Sequence, residues 1–241
     1  MISTLEKEIT FRFLKARKKD GFLNVISIFS FIGISLGVAV LIIVMSVMNG
    51  FRTELINKIV GFNPHITVKS YDNNGIDRDK LNNKNLNSIS KSLIFSNSGE
   101  AIILKNNTSK GIVLRGYQTK DFSNLTIIKN DKFKGDKSKL SKNSISIGNE
   151  LSFSLDLKIG DKITLMSPSG IETIIGSMPK QKTFKVTSIF NSGLADFDNN
   201  IALIYLDTLD DFFGLKEENR NLEIYLKDPK NIEEQKQIIQ K

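Results

Sequence analysis

One histidine, His65, is the residue of this chain best suited to nucleophilic, acid–base or metal chemistry. A Ser-His-Asp triad or a zinc site would need further serine, acidic or metal-binding side chains beside it. His65 opens the alternating segment Ile66-Thr67-Val68-Lys69, which is typical of a β-strand. We therefore expect a structural histidine at a strand end, and we predict neither a catalytic residue nor a metal site.

Cysteine is absent from the sequence. Its absence excludes disulfide bonds, and it also excludes the thiol through which bacterial lipoproteins attach their own lipid. Glycine loops that bind phosphate are missing as well, since neither Gly-x-x-x-x-Gly-Lys-Ser/Thr nor Gly-x-Gly-x-x-Gly occurs. The segment Gly135-Asp136-Lys137-Ser138 matches the first pattern only in part. We expect no cofactor, and we expect that the chain cannot hydrolyse ATP alone.

The formal net charge of +8 is spread unevenly along the chain. The first 21 residues contribute +3, from six basic and three acidic side chains, and the long remainder is therefore only mildly basic. No basic patch is interleaved with aromatic residues, which argues against binding to nucleic acid.

A run without charged residues extends from Gly21 to Phe51, and its apolar centre is 25–48. As a helix this centre would be about 36 Å long, enough to cross a hydrocarbon core of about 30 Å with some tilt. The run is too long and begins too late for a cleaved signal peptide, and no Ala-x-Ala site follows it. We predict a transmembrane helix at 21–51. The alternative is a buried helix of a soluble protein.

The charges that flank this run predict its orientation. The basic residues that precede it are Lys7, Arg12, Lys15, Arg17, Lys18 and Lys19, whereas Arg52 and Lys58 alone follow it as far as Val68. Because basic flanks stay in the cytoplasm, we expect the N-terminus inside and residues 52–241 outside. Residues 1–20 are predicted to form a cytoplasmic amphipathic helix, with a frayed basic tail as the alternative.

Strand and helix patterns mix without strict alternation after the span, which predicts an α+β fold. The long helix should continue over 53–60 until Gly61 and Pro64 end it. Strands are predicted at 65–70, 100–105, 111–117, 144–147, 162–166, 182–190, 200–205 and 221–226. Short helices are predicted at 149–155 and 207–213, the second with Asp207 as its N-cap. A last helix begins at Pro229 and the sequence stops within it, so we expect a piece of a longer protein.

Residues 167–182, called the hook below, form a hairpin between two predicted strands. Pro168 and Pro179 mark its two sides, which suits a turn-rich excursion. The apolar residues between these prolines are Ile171, Ile174, Ile175 and Met178. An exposed apolar loop lowers solubility unless a partner covers it. From the residues alone, contact with a partner and packing against the same domain remain equally open.

Several segments together resemble one known family. They are 42–55, with the specific run Val47-Met48-Asn49-Gly50-Phe51, and 13–17, 21–22, 61–66, 148–151, 157–163, 168–179 and 190–198. They resemble the lipoprotein-releasing permeases of the LolC/LolE type, ABC transporter permeases of the superfamily that includes MacB and FtsX. Members of this family continue into more of the extracytoplasmic domain and three further transmembrane helices.

The resemblance implies a MacB-like periplasmic core domain in residues 52–241, incomplete at its C-terminus, on a subunit of the bacterial inner membrane. It also implies a second permease subunit, identical or sister, and a separate LolD-like ATPase. The complex would release lipoproteins destined for the outer membrane to a LolA-like periplasmic carrier. The hook would hold that carrier through Pro168, Ile171, Ile174, Ile175, Met178 and Pro179.

Two faces of the predicted span carry separate hypotheses. Gly33 and Gly37 are spaced for close packing against another transmembrane helix. A face near the outer end is predicted to line a lipoprotein cavity between paired subunits, with ordinary lipid contact as the alternative. Its members are Leu41, Val44, Met45, Met48 and Phe51. Two other functions remain open, a MacB-like exporter subunit and a single-pass periplasmic receptor or scaffold.

Overall fold

The computed structural model describes residues 3–14, 21–70, 75–76, 81, 84–105, 108–129, 131–138, 140–173, 176–229, 232 and 235–236. The chain divides into two compact units, Met1–Ile56 and Asn57–Lys241. Helix α1 (Thr4–Leu14) and most of helix α2 (Gly21–Phe62) belong to the first unit. The second unit holds the strands and the shorter helices.

Helix α2 is the long apolar element. Its large apolar side chains from Val25 to Phe51 are between 47% and 73% exposed all around the helix. Among the described residues it is the one helix long and apolar enough to cross a membrane. The predicted continuation beyond the apolar run is confirmed, because α2 ends at Phe62, two residues before Pro64.

The second unit contains nine strands among its described residues. They are β1 (Ile66–Val68), β2 (Ser90–Lys105), β3 (Thr108–Tyr117), β4 (Lys134–Gly135), β5 (Ser144–Gly148), β6 (Lys162–Thr173), β7 (Gly176–Phe190), β8 (Ile201–Tyr205) and β9 (Asn221–Leu226). The helices are α3 (Lys84–Ile89), α4 (Thr119–Phe122), α5 (Thr126–Lys129), α6 (Asn149–Ser154), α7 (Ala195–Asn200) and α8 (Leu206–Phe213). The mixture confirms the predicted α+β class.

Six of the strands form a closed ring. Strand β2 pairs with β3, β3 with β8, β8 with β5, β5 with β7, β7 with β6, and β6 pairs again with β2. The β3–β8 and β5–β7 pairs are parallel, and the other four are antiparallel. Closure leaves these strands without a long free edge, so the ring is a small barrel.

The remaining strands extend this barrel on its outside. The first half of β2 pairs with β9, and β9 in turn pairs with the short β1 that follows α2. The last part of β2 pairs with β6 instead, at Ile102–Leu104 in register with Met166–Thr164. Strand β4 adds two residues beside β7. The 16-residue β2 thus joins the barrel to the strands nearest α2.

One hydrophobic core fills the barrel. Alternate residues of all six ring strands contribute to it, including Ile103, Leu114, Ile147, Leu165 and Phe184. Helix α6 follows the end of β5 and α8 follows the end of β8, and these two strands are antiparallel. The helices therefore close opposite ends, with Leu151 of α6 and Phe212 of α8 in the same core.

Most sequence predictions for this unit are confirmed. Strand β4 and helices α4 and α5 were not predicted, and three further differences follow. Residues 90–99 belong to β2, although their serine-rich sequence gave no strand prediction. Helix α7 was not predicted, because its six residues lack an apolar period. The predicted cap at Asp207 is wrong: Tyr205 is the N-cap of α8, and the Asp207 carboxylate binds Arg220 at 2.6 Å. The helix predicted from Pro229 lies largely outside the described residues.

Candidate functional site

The hook is a two-stranded ribbon that leaves the barrel. Strands β6 and β7 pair from Lys162 and Lys185 to Met166 and Gln181, and again from Gly170 and Pro179 to Thr173 and Gly176. Beyond Met166, β6 pairs with β7 alone among the described residues. At about 3.3 Å per residue, the ribbon from Ser167 to Thr173 can reach about 20 Å. The predicted hairpin is therefore confirmed in its backbone.

A bulge marks the root of the hook. Between the pairs Met166–Gln181 and Gly170–Pro179, β6 advances four residues while β7 advances two. Pro168 lies in this bulge, where its missing N–H interrupts no ladder bond. Ser167, directly before it, is fully buried. Because a bulge bends a strand and increases its twist, Pro168 separates the barrel part of β6 from the protruding part.

The predicted hook residues are described to different extents. Pro168 and Pro179 are exposed, and Met178 is 62% exposed. Ile171 is in register with Met178, which places the two residues opposite each other on the ribbon. Ile174 and Ile175 lie outside the described residues. The ribbon thus presents an apolar side chain that the barrel leaves uncovered at Met178.

A hydrogen bond between Lys180 and α8 ties the base of the hook to the rest of the unit, and a second contact joins β6 to β7 just below the hook. The Lys180 ammonium donates to the carbonyl oxygen of Asp211, in the helix that closes this end of the barrel. Thr164 and Thr183 hydroxyls lie 3.2 Å apart across the ladder. The root is therefore fixed while Met178 further along the ribbon remains exposed.

The predicted faces of α2 lie on the exposed apolar helix. Leu41, Val44, Met45, Met48 and Phe51 are each between 54% and 64% exposed. A side chain built on Gly33 or Gly37 would meet nothing within 4 Å. Both faces are thus available to lipid or to another helix, and their assignment to a cavity and to helix packing stays a prediction.

Polar contacts fix the C-terminal end of α2 within the second unit, a feature that the sequence did not predict. His65 Nδ1 accepts a hydrogen bond from the N–H of Leu226 at 2.8 Å. Its Nε2 lies 3.1 Å from the carbonyl oxygen of Val60, so Nε2 carries the proton and donates. Arg115 Nη1 donates to Asn63 Oδ1 at 3.1 Å. The structural role expected for His65 is confirmed.

A buried carboxylate lies beside this junction. Glu223 accepts hydrogen bonds from Ser96 at 2.6 Å, from Tyr225 at 3.0 Å and from Tyr117 at 3.2 Å. Burial, followed by the Glu223 charge, raises the pKa of Tyr117 well above its usual range, and burial also raises that of Tyr225. The phenols therefore stay protonated as donors. A glutamate inside a predicted apolar strand was the available signal for this network.

The polar side chains described above are engaged in internal hydrogen bonds. His65 has both ring nitrogens engaged with the backbone, and the phenols around Glu223 serve as hydrogen-bond donors. Within the described ranges, no group of three or more histidine or acidic side chains could hold a metal ion.

Comparison with curated proteins gives consistent relatives. The chain is 29% identical over 240 residues to the lipoprotein-releasing system transmembrane protein LolC of Neisseria meningitidis, covering 95% of this chain and 56% of that protein. It is 27% identical over 234 residues to LolE of Haemophilus influenzae, covering 92% and 55% respectively. The chain thus spans about half the length of the curated relatives it matches.

A solved structure and a family model also match the chain. The periplasmic region of MacB from Actinobacillus actinomycetemcomitans shares 12% identity at a TM-score of 0.42, covering 78% of this chain and 86% of that one. A family model described as the MacB-like periplasmic core domain matches residues 27–241. Because this match includes nearly the whole sequence, the chain belongs to the MacB-like periplasmic core domain family.

Proposed function

We propose that this chain is part of a permease subunit in an ABC complex that releases lipoproteins from the bacterial inner membrane. The observation that carries the proposal is the similarity to proteins named LolC and LolE, which extends over 95% and 92% of the chain. The one long apolar helix among the described residues and the MacB-like domain suit such a subunit. The subunit itself is not an enzyme, and a separate LolD-like ATPase supplies the energy.

The hook is proposed to bind a LolA-like periplasmic carrier. An isolated two-stranded ribbon is marginally stable in water, so contact with a partner would favour its ordered form. Met178 is exposed on it, and a flexible thioether adapts well to the apolar rim of a carrier that accepts acyl chains. The contact set is the one predicted from the sequence: Pro168, Ile171, Ile174, Ile175, Met178 and Pro179.

Helix α2 is proposed to work beside a second permease subunit. Its face at Gly33 and Gly37 would pack against another transmembrane helix, because small residues let backbones approach closely. The face from Leu41 to Phe51 would line the cavity that holds the lipoprotein. The basic residues before the span support a cytoplasmic location for residues 1–20 and a periplasmic location for the domain at 52–241.

Two other functions are less well supported. A MacB-like exporter would share the domain family, but the curated relatives described above are named for lipoprotein release. A single-pass receptor would need neither the small-residue face of α2 nor a second permease. The lipoprotein permease accounts for the hook and the span together.

A carrier-capture experiment tests the proposal. The chain is purified in detergent, and a LolA-like carrier is captured on it with Met178→Asp as the variant. A charge in an apolar contact should reduce capture at least about tenfold, the loss expected of a central contact residue. Phe153→Asp is the matched control, because Phe153 is 73% exposed on α6 at the opposite end of the barrel.

The same variants should leave ATP hydrolysis by the assembled complex unchanged, since the hook lies outside any ATPase contact in this proposal. Capture by Met178→Asp at the level of the unmodified chain would reject the hook as the carrier site. If neither the variants nor the unmodified chain captured a carrier, the lipoprotein-release function would be rejected.

A further inference from the structure

We propose that a pocket at the end of α2 binds the phosphate headgroup of an anionic membrane phospholipid. This cavity, called the foot pocket below, has a volume of about 260 Å³ and lies within the second unit. Its lining residues are Val60, His65, Lys91, Thr126, Tyr225, Leu226, Lys227 and Pro229. The proposal does not depend on the release of lipoproteins.

The charge of the foot pocket selects an anion. Lys91 and Lys227 contribute two ammonium groups, and no acidic residue is among the lining residues. The Lys227 ammonium donates to the carbonyl oxygens of Ser88 at 2.8 Å and Asn87 at 3.2 Å, which leaves one of its three N–H donors for a ligand. Thr126, which carries a hydroxyl group, is also among the lining residues.

The backbone directs Lys91 towards this cavity. The β2–β9 ladder pairs Ser90 with Leu226 and then Ser92 with Tyr225, so Lys91 is the extra residue of a β-bulge. Bulges reorient a side chain relative to the regular pleat. Lys91 is exposed and has no acidic partner among the residues that the structure describes.

The walls of the foot pocket are fixed and partly apolar. His65 links Val60 to Leu226 through its two ring nitrogens, and its ring packs edge-on against Tyr225 with centroids 6.1 Å apart. Val60, Leu226 and Pro229 supply hydrocarbon surface next to the cations. A free phosphate ion gains nothing from contact with hydrocarbon, whereas the glycerol part of a phospholipid headgroup can pack against this surface.

The sequence places the foot pocket directly after the membrane-crossing segment. Val60 follows Phe51, the last residue of the uncharged run, by nine positions in the same helix. At about 260 Å³, the pocket is much smaller than a whole phospholipid and suits its headgroup alone. The ligand chemistry is therefore a phosphodiester attached to glycerol.

Native mass spectrometry of the full chain in neutral detergent tests this site, with phosphatidylglycerol and phosphatidylcholine as separate probes. The unmodified chain should retain one more phosphatidylglycerol than Lys91→Gln, and that variant should bind it about fivefold more weakly. Lys91→Arg should keep the lipid. Lys158→Gln is the matched control, since Lys158 is an exposed lysine in the turn after α6.

A second variant tests the space in the foot pocket independently of its charge. Thr126→Trp fills the pocket while both lysines remain, and it should also lose the additional lipid. Tyrosine fluorescence checks that Lys91→Gln is folded, because Tyr117 and Tyr225 are buried. Circular dichroism checks Thr126→Trp, since its tryptophan would dominate the emission of a chain that otherwise has no tryptophan. Equal binding of phosphatidylglycerol by Lys91→Gln and the unmodified chain would overturn the proposal. Equal retention of phosphatidylcholine, or full displacement of the lipid by inorganic phosphate, would overturn it as well.

Discussion

The barrel and the hook are built from the same two strands, β6 and β7, but the pairing of these strands differs between the two regions. Within the barrel, β6 pairs on one side with β2 and on the other with β7, and its side chains Ile163 and Leu165 enter a closed core. In the hook, the continuations of these strands pair with each other alone among the described residues. A single bulge at Pro168 separates the two environments.

This difference shows which part of the domain can be stable by itself. Closure of the ring and its two end helices bury Leu165, Phe184 and Phe212 almost completely, so the barrel needs no partner. Met178 on the hook stays exposed, and a lone hairpin gains little from its own hydrogen bonds. The hook is thus the part whose order should depend on what binds it.

The largest expected contrast is in amide hydrogen exchange. Amides of β5 and β8 open only when the barrel unfolds, whereas those at 170–173 and 176–178 open whenever the ribbon frays. We expect the hook amides to exchange at least about a thousandfold faster, measured by mass spectrometry of peptides from the chain in detergent. A carrier that binds the hook should slow these amides and leave β5 unchanged. Similar protection in hook and barrel would remove the distinction.

A matched pair of phenylalanines gives the next largest effect. Phe184 points into the barrel and is 1% exposed, whereas Phe153 is 73% exposed on α6. Phe184→Ala should lower the free energy of unfolding by about 3–5 kcal/mol through lost burial and a residual cavity. Phe153→Ala should change it by less than about 0.5 kcal/mol. Denaturant titration followed by tyrosine fluorescence measures both, and equal losses would contradict the burial of Phe184 and the exposure of Phe153.

The helix beside the hook root depends on one buried arginine. Arg220 donates from Nε to Asp210 at 2.7 Å and from Nη2 to Asp207 at 2.6 Å, and both acceptors lie on α8. Asn97 of β2 donates to the same Asp210 carboxylate at 3.1 Å. Burial raises the pKa of Asp210, against the opposing influence of Arg220. This cluster holds α8 over the end of the barrel from which the hook leaves.

Arg220→Met should therefore cost about 2–3 kcal/mol, because it leaves the buried Asp210 carboxylate without its cation. Since Lys180 binds the carbonyl oxygen of Asp211, loosened α8 should also speed amide exchange at the root of the hook. Arg220→Lys keeps the charge but loses the forked hydrogen-bond geometry. Its free energy of unfolding should therefore lie between those of the unmodified chain and Arg220→Met. An unchanged hook root in a destabilised Arg220→Met variant would show that hook and barrel are uncoupled.

The sequence predicted local elements of both regions better than their connections. The alternation in 221–226 and the prolines and glycines of the hook are signals that extend over only a few residues. The strand and the hairpin that they predict are present in the backbone. Closure of the barrel pairs Met166 with Ile102, some sixty positions away, and no local pattern contains that information. Ser96 received no strand prediction, and its acceptor, Glu223, is distant in sequence.

Charged side chains misled the prediction where their partners were remote. Asp207 is of a residue type that often caps helices, yet its carboxylate binds the Arg220 guanidinium instead of the helix amides. The same limit applies to the candidate sites. The hook and the faces of α2 could be proposed from apolar residues in exposed segments, whereas the foot pocket required the β2 bulge and the folded path of three separate segments.

The smallest expected effect concerns helix α7. Asp198 of α7 is buried, and its two carboxylate oxygens accept the N–H of Ser192 at 2.9 and 3.1 Å. Burial raises the pKa of Asp198, the Ser192 hydrogen bonds lower it, and the Glu150 charge raises it further, with a net increase from 3.8. The folded state therefore binds this proton more readily than the unfolded state.

Because the folded pKa lies above the unfolded value, the Asp198 contribution to stability falls as pH rises from about 4 through the folded pKa. Asp198→Asn removes that dependence while its amide oxygen can still accept from Ser192. The unfolding free energy of the unmodified chain minus that of Asp198→Asn should thus be larger at pH 4 than at pH 7, measured by denaturant titration at each pH. Phe153→Ala, which removes no titratable group, should show a constant difference. A difference that grows with pH would mean that the carboxylate gains more from Ser192 than it loses by burial.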